Sequence, residues 1–189
     1  MTIAQHLKTF AGSKVVDYRP EKGLKPGRPE EVAYRLGGLE HGEEGRPFTE
    51  SLDRYLAEPG AANTTALIIG AWDYQQMVEG GSTNVVEALA AARARLPRLR
   101  ALFLGDITYE ECEISWITQG DISPLLAAYP LLEEFRVRGV GGLTFGQIRH
   151  AALRTFAIES GGLPDDILKE VWAAELPALE HLELWLGTN

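Results

Sequence analysis

The sequence predicts an α/β solenoid with a parallel sheet on its concave face, helices on its convex side and a capping segment at the N-terminus. Three observations predict it. The phrase "LPRLRALFLGD" at 96–106 returns as "LPALEHLELWLGT" at 176–188, fainter copies of its apolar spacing lie between and before them, and helical periodicity fills the gaps. Strand alternating with helix implies parallel strands.

In the two clear copies an apolar residue is followed three positions later by a second and two further on by a third: Leu99, Leu102, Leu104 and Leu179, Leu182, Leu184. "YPLLEEFRVRG" supplies Leu132, Phe135 and Val137, and "HAALRTFAIES" supplies Leu153, Phe156 and Ile158. "TTALIIGAW" puts Leu67 and Ile69 in the strand positions, with Thr64 where the leading apolar residue would stand. These are five units over 63–189, behind a cap region over 1–62. The last two positions of each triplet are the inward side of a short strand, which cannot bury that side alone, so the copies must stack. All twelve triplet residues from Leu99 to Leu184 are expected to be buried.

The intervening helices follow from their own patterns. "STNVVEALAAARARL" offers Ser82 or Thr83 as cap and a stripe at Val85, Leu89, Ala92 and Leu96. "SPLLAAY" places Pro124 near a first helical position, and "LTFGQIRH" spaces Thr144 and Gln147 as a capping box. "LPDDILKEVWAAEL" begins with Pro164, sets two acids in the first turn and aligns Ile167, Val171 and Trp172. In the cap region, "SKVVDY" and "EVAYRL" read as strands, and "PFTESLDRYLAE" puts Phe48, Leu52, Tyr55 and Leu56 on one helical face. "RPEKGLKPGRPE", with Arg19, Lys22, Lys25 and Arg28, and "GGLEHGEEGRP" read as solvated loops.

Composition bounds the function. A chain of 189 residues that is 45% hydrophobic can bury one core as a single domain. Its lone Cys112 forms no internal disulfide, which points to a reducing compartment and the cytoplasm. No stretch reads as a signal peptide or a membrane span, so no membrane association is expected. The net charge of -9 repels phosphate backbones, so no nucleic-acid partner is expected either.

The order of pieces, including "ECEISWITQGDISPLL" and "LPALEHLELWLGT", resembles the bacterial leucine-rich-repeat proteins and, within them, a family of uncharacterised cytoplasmic members. The resemblance covers 63–189. It implies a curved solenoid that binds another macromolecule on its concave sheet. The usual Asn or Cys after each strand is replaced by Ile107, Val140, Gly161 and Gly187. The steps from Leu67 to Leu102, to Phe135, to Phe156 and to Leu182 are 35, 33, 21 and 26 residues, so the expected arc is irregular.

No nucleophile elbow, phosphate-binding glycine loop or zinc spacing is present, so no catalytic residue, metal or cofactor is assigned. The acidic loop 106–113, with Asp106, Glu110, Glu111 and Glu113, is the place where a metal-dependent enzyme would be sought. The plainer reading is a solvated insertion anchored by Ile114 and Trp116. Cys112 among acids makes a poor nucleophile, and neither His150 nor His181 has a partner that can be named.

The leading expectation is a non-enzymatic module that binds a protein or peptide on the concave face. Alternation turns Ile68, Phe103, Arg136, Ala157 and Glu183 outward as a central row, flanked by His181 in the row before and by Arg138, Glu159 and Trp185 in the row after. Arginines and large aromatics on an open face are hot-spot types. A scaffold or regulatory subunit of an enzyme complex is the alternative. The last strand leaves an apolar edge, which implies either a longer array continuing past Asn189 or self-association by strand addition.

Overall fold

The computed structural model describes residues 3–24, 31–37 and 47–187. Eight strands form one curled sheet in sequence order: β1 (Thr9–Phe10), β2 (Ser13–Asp17), β3 (Val32–Leu36), β4 (Ala66–Ile69), β5 (Ala101–Leu104), β6 (Glu134–Arg138), β7 (Thr155–Glu159) and β8 (His181–Leu184). Only β1 is antiparallel to its neighbour. Four α-helices connect them: α1 (Phe48–Ala57), α2 (Thr83–Ala91), α3 (Ser123–Ala128) and α4 (Asp165–Trp172).

The register follows the apolar triplets. Leu67, Leu102, Phe135, Phe156 and Leu182 pair in succession from β4 to β8, and the row Ile68, Phe103, Arg136, Ala157, Glu183 pairs beside them. β2 and β3 extend that row with Asp17 and Arg35, so the two strands read in the cap region join the same sheet in parallel. The triplet side of the sheet and the apolar faces of all four helices make one core. Phe48, Leu52 and Tyr55 of α1, Val85 and Leu89 of α2, Leu125 of α3 and Ile167 and Val171 of α4 all belong to it. Thr64 is buried in the leading position because Tyr55 satisfies its hydroxyl at 2.6 Å.

The loops beyond the strands stack as well. Ser82 N–H donates to the Gln119 carbonyl at 2.6 Å, Gln119 N–H to the Gly141 carbonyl at 2.7 Å, and Ile122 N–H to the Thr144 carbonyl at 3.0 Å. Gln119 is fully buried, and its Nε2 donates to the Arg138 carbonyl at 2.6 Å, satisfying backbone where a regular repeat would use Asn.

Several expectations are corrected. The segment "LTFGQIRH" is not helical; Thr144 donates its hydroxyl to Glu170 of α4 at 2.8 Å, and the 21-residue step between Phe135 and Phe156 is spanned by turns. Trp172 lies 70% exposed, because an eight-residue helix presents only the Ile167 and Val171 stripe to the sheet. Trp116 does not anchor the acidic loop: Ile114 is buried and Trp116 is exposed. Nine of the twelve triplet residues are buried, but Leu179, Leu182 and Leu184 are half-buried, since β8 has a neighbour on one side only among the described residues. The segments 25–30 and 38–46, which hold half of the first predicted loop and most of the second, and Asn189 lie outside the described residues.

Truncating Phe135 to Ala is expected to cost about 3–5 kcal/mol through lost burial and the cavity left behind. Leu182→Ala at the half-buried edge should cost about 2 kcal/mol or less. Urea unfolding of both variants measures the difference.

Candidate functional site

The helix-free face of the sheet carries the predicted binding rows, and it divides into two parts. Over β3 to β5 the row residues other than Arg35 are small or apolar: Ala33, Ala66, Ile68, Ala101 and Phe103. They form a second, smaller core with Phe10. The N-terminal segment makes this cover by folding back as a hairpin. Thr9 and Phe10 pair with Lys14 and Ser13 around Ala11 and Gly12, whose φ values of 47° and 73° suit a tight two-residue loop. The Phe10 ring then lies 6.1 Å from that of Phe103, and Leu7 and Val15 pack at the margin. Ile68 and Phe103 are therefore buried. The reading of both as exposed contacts is overturned, because the three alanines leave a shelf deep enough for the chain's own Phe10.

Over β5 to β8 the face is charged, and the charges are shared out in a line. Asp106 stands just beyond β5, where Gly105 turns the chain with φ +99°; a Cβ at Gly105 would come within 2.9 Å of the Arg138 carbonyl oxygen. The buried Asp106 carboxylate accepts from Arg35 Nη1 at 2.8 Å and from Leu7 N–H at 3.2 Å, with Arg138 Nη1 at 3.4 Å. Arg138 donates through Nε to Glu159 at 2.6 Å and through Nη1 to the Ile107 carbonyl at 2.6 Å. The other oxygen of Glu159 takes Arg136 Nη1 at 2.6 Å, and Arg136 Nη2 reaches Glu183 at 3.1 Å. Arg35 closes the opposite end on Asp17. The ion-pair line thus runs from β2 to β8, and both Arg136 and Arg138 lie over the Phe103 ring at 5.9 and 5.1 Å.

This line corrects two further expectations. Arg138 and Glu159 are buried, not presented to solvent, because each saturates the other and neighbouring groups. What remains accessible is the C-terminal end of the face: the edge of Arg136, with His181, Glu183 and Trp185, the last donating Nε1–H to Glu183 at 2.8 Å. Sequence reasoning placed Arg138 and Glu159 side by side in one row but missed Arg35, Asp17 and His6. The apolar Leu7 and Phe10 ahead of "AGS" were the signal of a hairpin.

His6 fastens the N-terminal segment. Its Nδ1 lies 3.0 Å from the Asp106 carbonyl oxygen and 3.6 Å from the carboxylate, and Nε2 lies 3.3 Å from Glu111. Asp106 first and Glu111 second push its pKa up from 6.5 to about 9, against partial burial. Burial alone would raise Asp106, but hydrogen bonds from His6 and Arg35 and the charge of Arg138 outweigh it and hold that carboxyl below its usual range.

In the acidic loop, Glu111 is committed to His6 and to the Thr108 N–H at 2.8 Å, and Glu113 accepts from the Ser115 hydroxyl at 3.1 Å. Among the described residues no three His, Cys, Asp or Glu converge as a cation site. Cys112 is buried, and burial, then Glu113, pushes its thiol up.

Two outcomes follow for this network. His6 is raised in the folded state, so its contribution is complete below pH 6.5 and is lost as pH rises to about 9. Stability of the parent should fall across that window relative to His6→Ala, as followed by thermal melts at stepped pH. Asp106→Ala leaves Arg138 buried without one of its partners and should cost about 3–5 kcal/mol in urea unfolding.

No family model and no curated protein matches the chain. A protein of Bacteroides fragilis, solved as a structural-genomics target, has a similar fold, with a TM-score of 0.73 and 32% identity. The match covers 84% of this chain and 44% of that one, so the chain spans less than half the length of the structure it resembles.

Proposed function

We propose that the chain is an irregular leucine-rich-repeat array that acts without catalysis, as a cytoplasmic module binding a protein or peptide at the C-terminal part of its concave sheet face. The observation that carries this reading is the surface made by Arg136, His181, Glu183 and Trp185. Arg136 is held by Glu159 and Glu183, and Trp185 by Glu183, so a guanidinium on β6 and an indole just beyond β8 are both held through the same carboxylate. A side chain already held in place loses little entropy on binding, which is what makes such residues effective anchors. The apolar ladder at Leu67, Leu102, Phe135, Phe156 and Leu182 and the stacked loops support the repeat reading. Against an enzyme, Arg136 and Arg138 are engaged with Asp106, Glu159 and Glu183, and Cys112 is buried with a raised pKa.

Loss of an anchor of this kind weakens binding by about 2 kcal/mol, roughly thirty-fold. The variant Trp185→Ala with His181→Ala alters the half-exposed and exposed parts of the surface and should melt within a few degrees of the parent. Immobilised parent protein should retain from native lysate a partner that the double variant releases. Equal retention by both would reject this surface.

A second reading is favoured by the half-buried Leu182 and Leu184 and the exposed Leu186 at the outer side of β8. Two copies would associate by strand addition at this edge. Light scattering over a range of concentrations should then show a dimer that Leu184→Lys abolishes, and a parent that stays monomeric at the highest concentration excludes it.

A further inference from the structure

We propose that the acidic loop forms a second binding site, distinct from the sheet face, for the arginine or lysine side chains of a basic peptide. The loop borders a cleft of about 600 Å³, within the range of small-ligand sites. Three of the six large apolar or aromatic side chains left exposed among the described residues line this one cleft: Tyr74 at 52%, Tyr109 at 48% and Trp116 at 56%. Aromatic side chains of this size are ordinarily buried, and a soluble surface that gathers three around one opening marks an interaction site.

The carboxylates decide the class of ligand. Glu110 and Glu113 line the same cleft, and neither meets a Lys, Arg or His within ion-pair distance among the described residues. On the sheet face Asp17, Asp106, Glu159 and Glu183 are each paired with a guanidinium, whereas among the described residues these two accept only from the Tyr109 and Ser115 hydroxyls. A small divalent ion would need several oxygens converging on one point, and Glu111 is withdrawn to His6 and Thr108. Aromatic faces beside uncompensated carboxylates suit instead a large, weakly hydrated cation, which gains from the ring quadrupoles and from the negative charge together. The chain's net charge of -9 raises the encounter rate with a basic partner.

The cleft is also built to last. Tyr109 N–H donates to the Ile3 carbonyl at 3.0 Å, and Glu111 meets His6, so the N-terminal segment that seals the Phe103 shelf also fixes one wall. Ile107, Cys112 and Ile114 form the buried floor.

The test uses fluorescein-labelled hexa-arginine and fluorescence anisotropy with the whole chain. Trp116→Ala changes no charge, and it should weaken binding by about five-fold or more. Glu110→Gln with Glu113→Gln should do at least as much. Asp53→Asn with Glu87→Gln removes two exposed acids far from the loop in sequence, on α1 and α2, and should change affinity less than about two-fold. Tetramethylammonium chloride should displace the peptide at concentrations where sodium chloride of equal ionic strength does not. All five variant positions at the cleft and on the helices are exposed, and circular dichroism confirms that each variant folds. No binding by the parent, unchanged affinity in Trp116→Ala, or an equal loss in the Asp53 and Glu87 variant would overturn the proposal, the last because it would reduce the interaction to bulk charge.

Discussion

A parallel strand buries its inward side chains only when its neighbours carry theirs at the same level, and this chain rests on that constraint. Leu67, Leu102, Phe135 and Phe156 stand in register at the centre of the sheet, each fully buried, and the helices close over them. Once the register is set, the alternate residues are committed to the other face without further choice. The uneven lengths between strands are then absorbed on the helical side, where α2 and α3 fill the longer steps and plain turns fill the step from β6 to β7. The loops beyond the strands repeat the stacking through their own backbone hydrogen bonds, so irregular units remain aligned at two levels.

The opposite face is built on a different balance. Its apolar part is closed by Phe10, and its charged part is closed by a line of ion pairs that meets the N-terminal segment at Asp106. A buried carboxylate is costly unless its oxygens are satisfied, and here two arginines and a backbone N–H do so. Arg138 is buried under the same condition, through Glu159 and the Ile107 carbonyl. The hairpin and the ion pairs therefore support each other: without Leu7 and His6, Asp106 would lose two partners, and without Asp106 the segment would lose its fastening.

This division limits which part of the face is open to solvent. A face that looks continuous along the sequence is occupied by the chain itself over β3 to β5, and its end near β8 leaves Arg136, His181, Glu183 and Trp185 at least partly accessible. The acidic loop lies beyond β5 and combines exposed rings with two carboxylates, Glu110 and Glu113, that meet no Lys, Arg or His at ion-pair distance among the described residues. The two surfaces differ in chemistry, one a held guanidinium and indole, the other an aromatic and anionic cleft.

The sequence by itself determined the strands from β2 to β8, the register of β4 to β8 and most of the helix-facing core, because the five repeat strands depend on a local periodicity that recurs in each unit. It also determined the row that points away from the core, residue by residue from Ile68 to Glu183, since alternation is a property of every extended chain. What covers that row was decided only in the tertiary structure. Leu7 and Phe10 are separated from Phe103 by more than ninety residues, and no periodicity links a lone hairpin to the shelf of alanines it fills. Nor does spacing show that Arg35, Asp106 and Arg138 meet, because each sits on a different unit and their pairing depends on the turn at Gly105 and on the curl of the sheet. The exposure of Trp116 and Trp172 was hidden for a related reason: an apolar side chain at a helical or loop position reads as core until the neighbouring unit is seen to stop short of it.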